Sequence, residues 1–376
     1  MTFRFIHTSD LHLGRKFMTI PEPPDGNIRG RLMEARHTAI ARVAVAARAE
    51  SATHVLVAGD TFDTPTPSQS VVKQALAAMA DAMGIEWWLL PGNHDNLREA
   101  EPLWDAIRRD APPNVHVIST NAPIDLGQSA TLLPCPVEWR SAGTDLTEGL
   151  TTMQTGESTL RIALAHGGVV DFNSTGANIP PDRDRTARLD YLALGDWHGR
   201  VEVGARVHYS GSPELDRFKR GGRGICLSVA LDGPGATPRV KEIETGLFVW
   251  TEADLHLTPR QDGSASLDAM LPATGRRDAL MRISTTGWAC LADQVALRRR
   301  AAEVGPEFAY FDLRTNELGN HYETTDLDEI DRGGALRLAA EKLRADAGSS
   351  ALADADRGIA ADALARLYAY VKEDAQ

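Results

Sequence analysis

Between Asp10 and His198 the chain repeats one pattern: a short apolar run that stops at a cluster of carboxylate, imidazole or glycine residues. That recurrence constrains the fold more than any single element. Phe3 to Thr8 reads as a buried strand ending at Ser9-Asp10, His54 to Ala58 as a second ending at Gly59-Asp60, and Glu86 to Leu90 as a third stopped by Pro91-Gly92. Leu160 to Ala165 runs into His166, and Tyr191 to Leu194 into Gly195-Asp196. An alanine- and arginine-rich amphipathic helix is predicted from Arg31 to Ala49, and Ser68 reads as the N-cap of another reaching about Met83. Strands alternating with helices predict an α/β layered sheet. Ligands of such sheets gather beyond the carboxyl ends of the strands, where these polar clusters stand.

Val115 to Ser119, Thr131 to Leu133, Val207 to Tyr209 and Gly224 to Ala230 add further strands. Near Gly246 the pattern shifts. Asp278 to Ser284, a helix from Ala292 to Val304, and Phe308 to Leu313 read as a small β-α-β unit. From Leu327 the chain looks helical and polar, interrupted at Gly348-Ser349-Ser350, with Ile359, Ala363, Leu364, Leu367 and Val371 spaced for one helical face. The expected organisation is therefore a main domain over 1–245, a cap over 246–325 and a helical segment over 326–376.

With 43% hydrophobic residues, 376 residues can bury a sizeable core. The 52 acidic against 40 basic residues give a net charge of -12, which disfavours indiscriminate binding to polyanions, so any contact with nucleic acid must be local. Arg15 with Lys16, Arg183 with Arg185 and Arg188, Arg217 with Lys219, Arg220 and Arg223, and Arg298 to Arg300 are the basic clusters, each read as a solvated face before a binding one. Cys135, Cys226 and Cys290 form no Cys-x-x-Cys pair, so neither a thiolate zinc site nor a disulfide framework is suggested. No secretory segment and no stretch of roughly 18 apolar residues stands out, and a cytoplasmic protein with no membrane association is expected.

Five motifs carry candidate chemistry: Asp10-Leu11-His12, Gly59-Asp60-Thr61-Phe62-Asp63, Pro91-Gly92-Asn93-His94-Asp95, Ala165-His166-Gly167-Gly168 and Gly195-Asp196-Trp197-His198-Gly199. Singly, an Asp-x-His can be a capping arrangement, a Gly-Asp a turn, and a histidine beside glycine a structural residue. The third motif resists that reading, because three polar side chains of catalytic type are adjacent at a strand end. Together the motifs offer carboxylates, imidazoles and one carboxamide, which suit divalent ions of intermediate hardness such as manganese or iron, with zinc less favoured in the absence of thiolates. A pair of such ions joined by a carboxylate would acidify a water, supply hydroxide at neutral pH and neutralise charge on a phosphate undergoing displacement.

The order Asp-x-His, Gly-Asp-x-x-Asp, Gly-Asn-His-Asp, a later His and a final Gly-x-x-His resembles the calcineurin-like metallophosphoesterase superfamily over roughly residues 1 to 230. Within it, His7 to Gly14, Leu56 to Asp63 and Tyr209-Ser210-Gly211-Ser212-Pro213-Glu214 look most like the SbcD-type DNA repair exonucleases. The resemblance implies a layered sandwich of mixed sheets flanked by helices, with a β-α-β cap and C-terminal helices. It implies that Asp10, His12, Asp60 and His198 hold one ion and Asp60, Asn93 and His166 the other, Asp60 bridging. His94 would protonate or stabilise the leaving oxygen, Asp95 would orient that imidazole, and Asp63 would support its loop. Asp196 departs from the histidine common in the family. It either ligates the second ion directly, the reading adopted, or stands outside in a salt bridge.

The resemblance further implies two divalent ions, manganese first with iron, magnesium or zinc as alternatives, and as partners DNA, an SMC-like coiled-coil ATPase of the SbcC type on the C-terminal helices, which makes 326–376 the partner-binding segment, and a second copy of the chain. The expected activity is DNA cleavage near ends through a two-metal-activated hydroxide. A phosphatase or cyclic-nucleotide phosphodiesterase with the same ions, and a catalytically attenuated DNA-binding scaffold, are the alternatives. Trp87, Trp88 and Trp197 are expected to pack, Trp197 close enough to wall a metal cleft. His7 and His54 are expected in the core, and Phe218 either stacks on a base or sits in a surface loop.

Overall fold

The computed structural model describes residues 2–22, 26–140, 143–170, 178–259, 261–320, 330 and 334–374. They form two compact units, Met1–Val249 and Trp250–Gln376. In the first unit the strands are β1 (Phe3–Thr8), β2 (His54–Val57), β3 (Glu86–Leu89), β4 (Val115–Val117), β5 (Ile124–Gly127), β6 (Ala130–Cys135), β7 (Leu160–His166), β8 (Tyr191–Gly195), β9 (Val201–Gly204), β10 (Val207–Tyr209), β11 (Ile225–Leu231) and β12 (Arg239–Glu244). They build two six-stranded mixed sheets, ordered β12-β11-β1-β2-β3-β4 and β5-β6-β7-β8-β10-β9. Strands β1, β2 and β3 are parallel neighbours, as are β6, β7 and β8, so their carboxyl ends lie together.

Period-two alternation explains the layering. Phe3, Phe5 and Leu56 of the first sheet meet Ile162, Leu164, Tyr191 and Ala193 of the second in one apolar layer. The opposite faces carry Ile6, Val55, Val57 and Leu89 on one side, and Ala163, Ala165, Leu192 and Leu194 on the other. Over the first outer face lie α1 (Ile28–Ala49) and α2 (Gln69–Ala80), presenting Ile40, Val43, Leu76 and Met79 to it. Ser68 caps α2 by accepting a hydrogen bond from Val71 N at 3.3 Å. His7 and His54 are buried as expected: His7 contacts Tyr191 Oη and Leu194 O at 3.1 Å each, and His54 Nδ1 accepts from Trp88 Nε1 at 3.1 Å.

Helix α3 (Glu101–Asp110) lies outside the elements expected from the sequence; its Pro102 sits in the first turn, where the missing N–H costs nothing, and Trp104 and Ile107 anchor it. The short α4 (Arg183–Thr186) follows later.

The second unit holds β13 (Val249–Leu257), α5 (Gly263–Met270), β14 (Ala279–Ala289), α6 (Leu291–Val304), β15 (Tyr310–Asn320), α7 (Ala335–Ala347) and α8 (Asp354–Asp374). Strands β14 and β15 pair in parallel around α6, and both run well beyond the expected ends. Residues 327–329 and 331–333 of the expected helical segment lie outside the described residues. Leu364, Ala365 and Tyr368 of α8 pack with Ala340 of α7 and Leu291 of α6, whereas Ile359 is 67% exposed, off the face expected for it. No helix among the described residues is long and apolar enough to cross a membrane.

Candidate metal centre

The loops after β1 and β2 run side by side. Asp10 N donates to Gly59 O at 3.1 Å, His12 N to Asp60 O at 3.0 Å and Leu13 N to Thr61 O at 2.9 Å. This extension of the sheet carries Asp10, His12 and Asp60 to one spot. Loops of the second sheet reach the same place: His166 Nδ1 lies 2.8 Å from Ala58 O, and Asp196 N lies 3.3 Å from both carboxylate oxygens of Asp10.

Three sets of ligand-type atoms result, each lying within 4.8 Å of one another: Asp10, His12 and His198; His12, Asp60 and His94; Asp10, Asp60 and His166. Asp60 Oδ2 stands 3.5 Å from His12 Nε2 and 3.6 Å from His166 Nε2, while its Oδ1 accepts from His94 N at 2.9 Å. Asp10 Oδ1 is 3.8 Å from Nε2 of both His12 and His198. Asn93 Nδ2 donates to Asp196 Oδ1 at 3.0 Å, and that oxygen lies 3.9 Å from His166 Nε2. Asp196 thus sits beside the centre, outside the three sets.

The donor set fits divalent cations. His166 Nε2 and Asn93 Oδ1 are buried without a hydrogen-bond partner, a costly arrangement for polar atoms unless something coordinates them. Nε2 of His12 and His198 face each other at 3.1 Å, and a lone pair on each would repel unless a proton or cation lay between. Charge points the same way. Burial alone would depress the His166 imidazole, but Asp60, Asp10 and Asp196 push it up to about 9. Burial, with Asp95 and Asp10 nearby, drives the Asp60 carboxyl well above its ordinary range despite His166. A carboxyl and an imidazole both pushed toward their protonated forms mark a site in want of positive charge.

A profile of the Calcineurin-like phosphoesterase family matches residues 3–223, more than half of the chain. The chain belongs to this family. No curated protein matches its sequence. Among solved structures, TT1561 of Thermus thermophilus is similar with a TM-score of 0.42 and 11% identity, and a second chain with 0.39 and 9%; each match covers 65% of this chain and 100% of the other.

As a calcineurin-like phosphoesterase the chain builds its centre on constrained backbone. Asp10, His12, Asp60 and Asp196 have φ of 53°, 43°, 54° and 96°, a region that L-residues with side chains rarely enter. Two glycines make room. A Cβ on Gly59, at φ +90°, would stand 2.1 Å from His166 Nδ1, and one on Gly92 would stand 2.2 Å from Asp60 Oδ1.

One expected contact is absent. Asp95 does not orient the His94 ring: its carboxylate is fully buried and accepts from Phe62 N at 3.0 Å and Gly92 N at 2.7 Å. His94 Nδ1 is instead 2.9 Å from the backbone carbonyl of Asp63. Adjacent side chains on a tight turn point apart, and Asp95 stitches the loops beneath the centre. Burial raises its carboxyl to about 6 against the pull of those two amides.

Several residues escaped sequence reasoning because their partners are distant along the chain. Arg36, buried on α1, donates to Asp10 O at 3.2 Å. Ser212 Oγ donates to Asp10 O at 2.9 Å, and Tyr209 Oη donates to Gly167 O at 2.7 Å while accepting from Val169 N at 3.0 Å, so the Tyr209–Glu214 motif props the ligand loops. Asp216 is buried with Oδ2 3.1 Å from His198 Nδ1; burial opposes its ionisation, but His198 and Arg36 hold the carboxyl far below its usual range. Phe218 is also buried, which rules its ring out as an exposed stacking platform. Arg183 is taken up by Asp145 and Thr147, and the Arg220 side chain lies outside the described residues.

Proposed function

We propose that this calcineurin-like phosphoesterase is a metal-dependent DNA nuclease of the SbcD type, cleaving phosphodiester bonds near DNA ends in DNA repair together with a coiled-coil SMC-like ATPase of the SbcC type. The observation that carries the nuclease reading is a cavity of about 530 Å³ adjoining His198, walled by Trp197 and by three cations, Arg200, Lys219 and Arg223, against one carboxylate, Glu242. On a chain of net charge -12, a local cationic wall beside the reacting centre is what a polyanionic substrate needs. Arg200 and Arg223 pair with Glu242 and Glu244, which leaves exposed Lys219 as the ready phosphate contact.

In this reading Asp10, His12, Asp60 and His198 would hold one divalent ion and Asp60, Asn93 and His166 would hold the other, manganese by preference. Asp196 steadies Asn93 through its amide hydrogen bond instead of ligating. Bound there, the ions supply Lewis acidity toward phosphate oxygens and an acidified water. Asp60 faces both sides, as a bridge must. His94 donates its Nδ1 proton to the Asp63 carbonyl, so protonating the leaving oxygen calls for the imidazolium, whose second proton, taken from solvent, sits on Nε2. Asp63 lies 3.2 Å from His12 Nδ1 and holds that ring against the centre.

The ATPase partner is supported by apolar side chains left exposed on the terminal helices: Leu336 and Leu338 on α7, and Ile359 and Tyr370 on α8.

The test incubates purified protein and manganese with end-labelled linear duplex, single-stranded and closed circular DNA, alongside a small phosphodiester and a phosphomonoester. Cleavage of the linear DNA is expected. Turnover confined to the small diester, or to the monoester, would replace the nuclease by a phosphodiesterase or a phosphatase.

A further inference from the structure

Arg15 lies two residues beyond Leu13 and belongs to none of the ligand sets. Its guanidinium nevertheless spans two carboxylates that meet nowhere in sequence: Nη1 is 3.3 Å from Asp63 Oδ1, and Nη2 is 3.0 Å from Asp216 Oδ2. Each carboxylate in turn faces the outer nitrogen of an imidazole. Asp63 Oδ1 is 3.2 Å from His12 Nδ1, a charge contact slightly off the line of a hydrogen bond, and Asp216 Oδ2 is 3.1 Å from His198 Nδ1. The inner nitrogens of those two rings are the pair that meet at 3.1 Å beside Asp10. Arg15 therefore closes a ring of contacts around one half of the centre, and His166 and Asn93 lie outside it.

We infer that Arg15, forked between Asp63 and Asp216, is a positioning residue that presets His12 and His198 as Nε2 donors and so raises the cation affinity of the Asp10–His12–His198 half of the centre selectively. A carboxylate on Nδ1 favours the tautomer with its proton there and frees Nε2 for coordination. The arginine gives the device its rigidity, because one planar fork fixes both carboxylates at once. Lysine, a single point charge, reaches one of them only.

Two neighbours compete with this reading of the ring. Arg217 Nη2 lies 3.3 Å from His198 Nδ1, but it donates to Asp216 Oδ2 at 3.1 Å and its Nε to Asp216 Oδ1 at 3.0 Å, so it grips that carboxylate without reaching Asp63, and the closer carboxylate decides the tautomer. Arg36 Nη2 stands 4.0 Å from Asp216 Oδ2 and adds charge without spanning to Asp63.

The inference rests on the metal reading given under Proposed function, and a manganese titration of the metal-free full-length protein by calorimetry separates the two. Wild type is expected to take up two ions, with His198→Ala marking which event belongs to the Asp10–His12–His198 half. Arg15→Gln is expected to weaken that event about 10- to 100-fold, the usual cost of losing an outer partner of a ligand, and to leave the other event in place. Arg15→Lys should fall between, and Arg217→Ala, which loosens Asp216 but leaves Asp63 against His12, should weaken the event less than Arg15→Gln does. Should Arg15→Gln fold poorly, Asp63→Asn breaks the same ring at a half-exposed position and is expected to weaken the same event. Two unchanged events, or two equally weakened ones, overturn the clamp while the metal centre stands. A wild-type protein that takes up no manganese overturns both.

Discussion

Asp60 Oδ2 is placed almost equally from His12 Nε2 and His166 Nε2, at 3.5 and 3.6 Å, and so occupies the seam between the two halves of the centre. Asp60→Asn keeps the size and removes the charge. Its turnover on a small phosphodiester is expected to fall by at least about a hundredfold, with both manganese events weakened in the same variant. Loss of one event alone would show that Asp60 serves one half only.

His94 and its neighbour should separate cleanly. His94→Gln removes the proton at Nε2 and is expected to lower turnover by about 10²- to 10⁴-fold while manganese uptake stays intact. Asp95→Ala strands the Phe62 and Gly92 amides and should cost stability, on the order of 1–3 kcal/mol for each unsatisfied group, read as a shift in the urea midpoint. A normal midpoint for Asp95→Ala would refute the stitching role.

Gly59→Ala puts a Cβ into the space of the His166 ring at a backbone angle that disfavours it. The expected outcome is a loss of about 1–3 kcal/mol and of the ion held by His166, with the ion at Asp10, His12 and His198 retained. Calorimetry of both events decides it.

The buried His7 gives the metal-free protein a pH signature. Burial, helped by His208, lowers its pKa to about 3 from the ordinary 6.5, so the unfolded chain binds a proton that the folded one refuses. The stability it contributes is present above about pH 6.5 and is lost as pH falls toward 3, with a slope approaching about 1.4 kcal/mol per pH unit. Urea midpoints measured in chelator between pH 7.5 and pH 5 should fall, and the fall should be shallower in His7→Gln.

Substituting Leu338 and Ile359 by aspartate alters the exposed apolar faces of α7 and α8 and leaves the first unit untouched. Ester hydrolysis should be unchanged and capture of the proposed coiled-coil ATPase lost. Full capture by the double variant would remove these helices as the docking surface.

The sequence disclosed the scaffold where local patterning and burial agree. Phe3–Thr8 and Val207–Tyr209 were legible to the residue because each apolar run is bounded by a break in pattern, and the ligand motifs were legible because they follow such runs. What stayed hidden depends on distance along the chain or on the backbone itself. Asp216 meets Arg15, and Asp63 meets His12, only once strands distant in sequence are paired, and no periodicity announces that. The left-handed turns at Asp10 and Asp60 carry no composition signal, since aspartate is common in ordinary turns. The error at Asp95 has the same source: adjacency suggested contact, and the turn denied it.

Those left-handed turns bear on how transferable the centre is. A synthetic peptide copying His7 to Gly14 would carry the same aspartate and histidine, yet in free solution it would relax out of the rare backbone region and spread the two side chains. Its hold on manganese should be weak. Affinity here is a property of the neighbouring strands that pin the turn, and a designer wishing to move this chemistry to another protein must transplant the β1–β2 edge along with the letters.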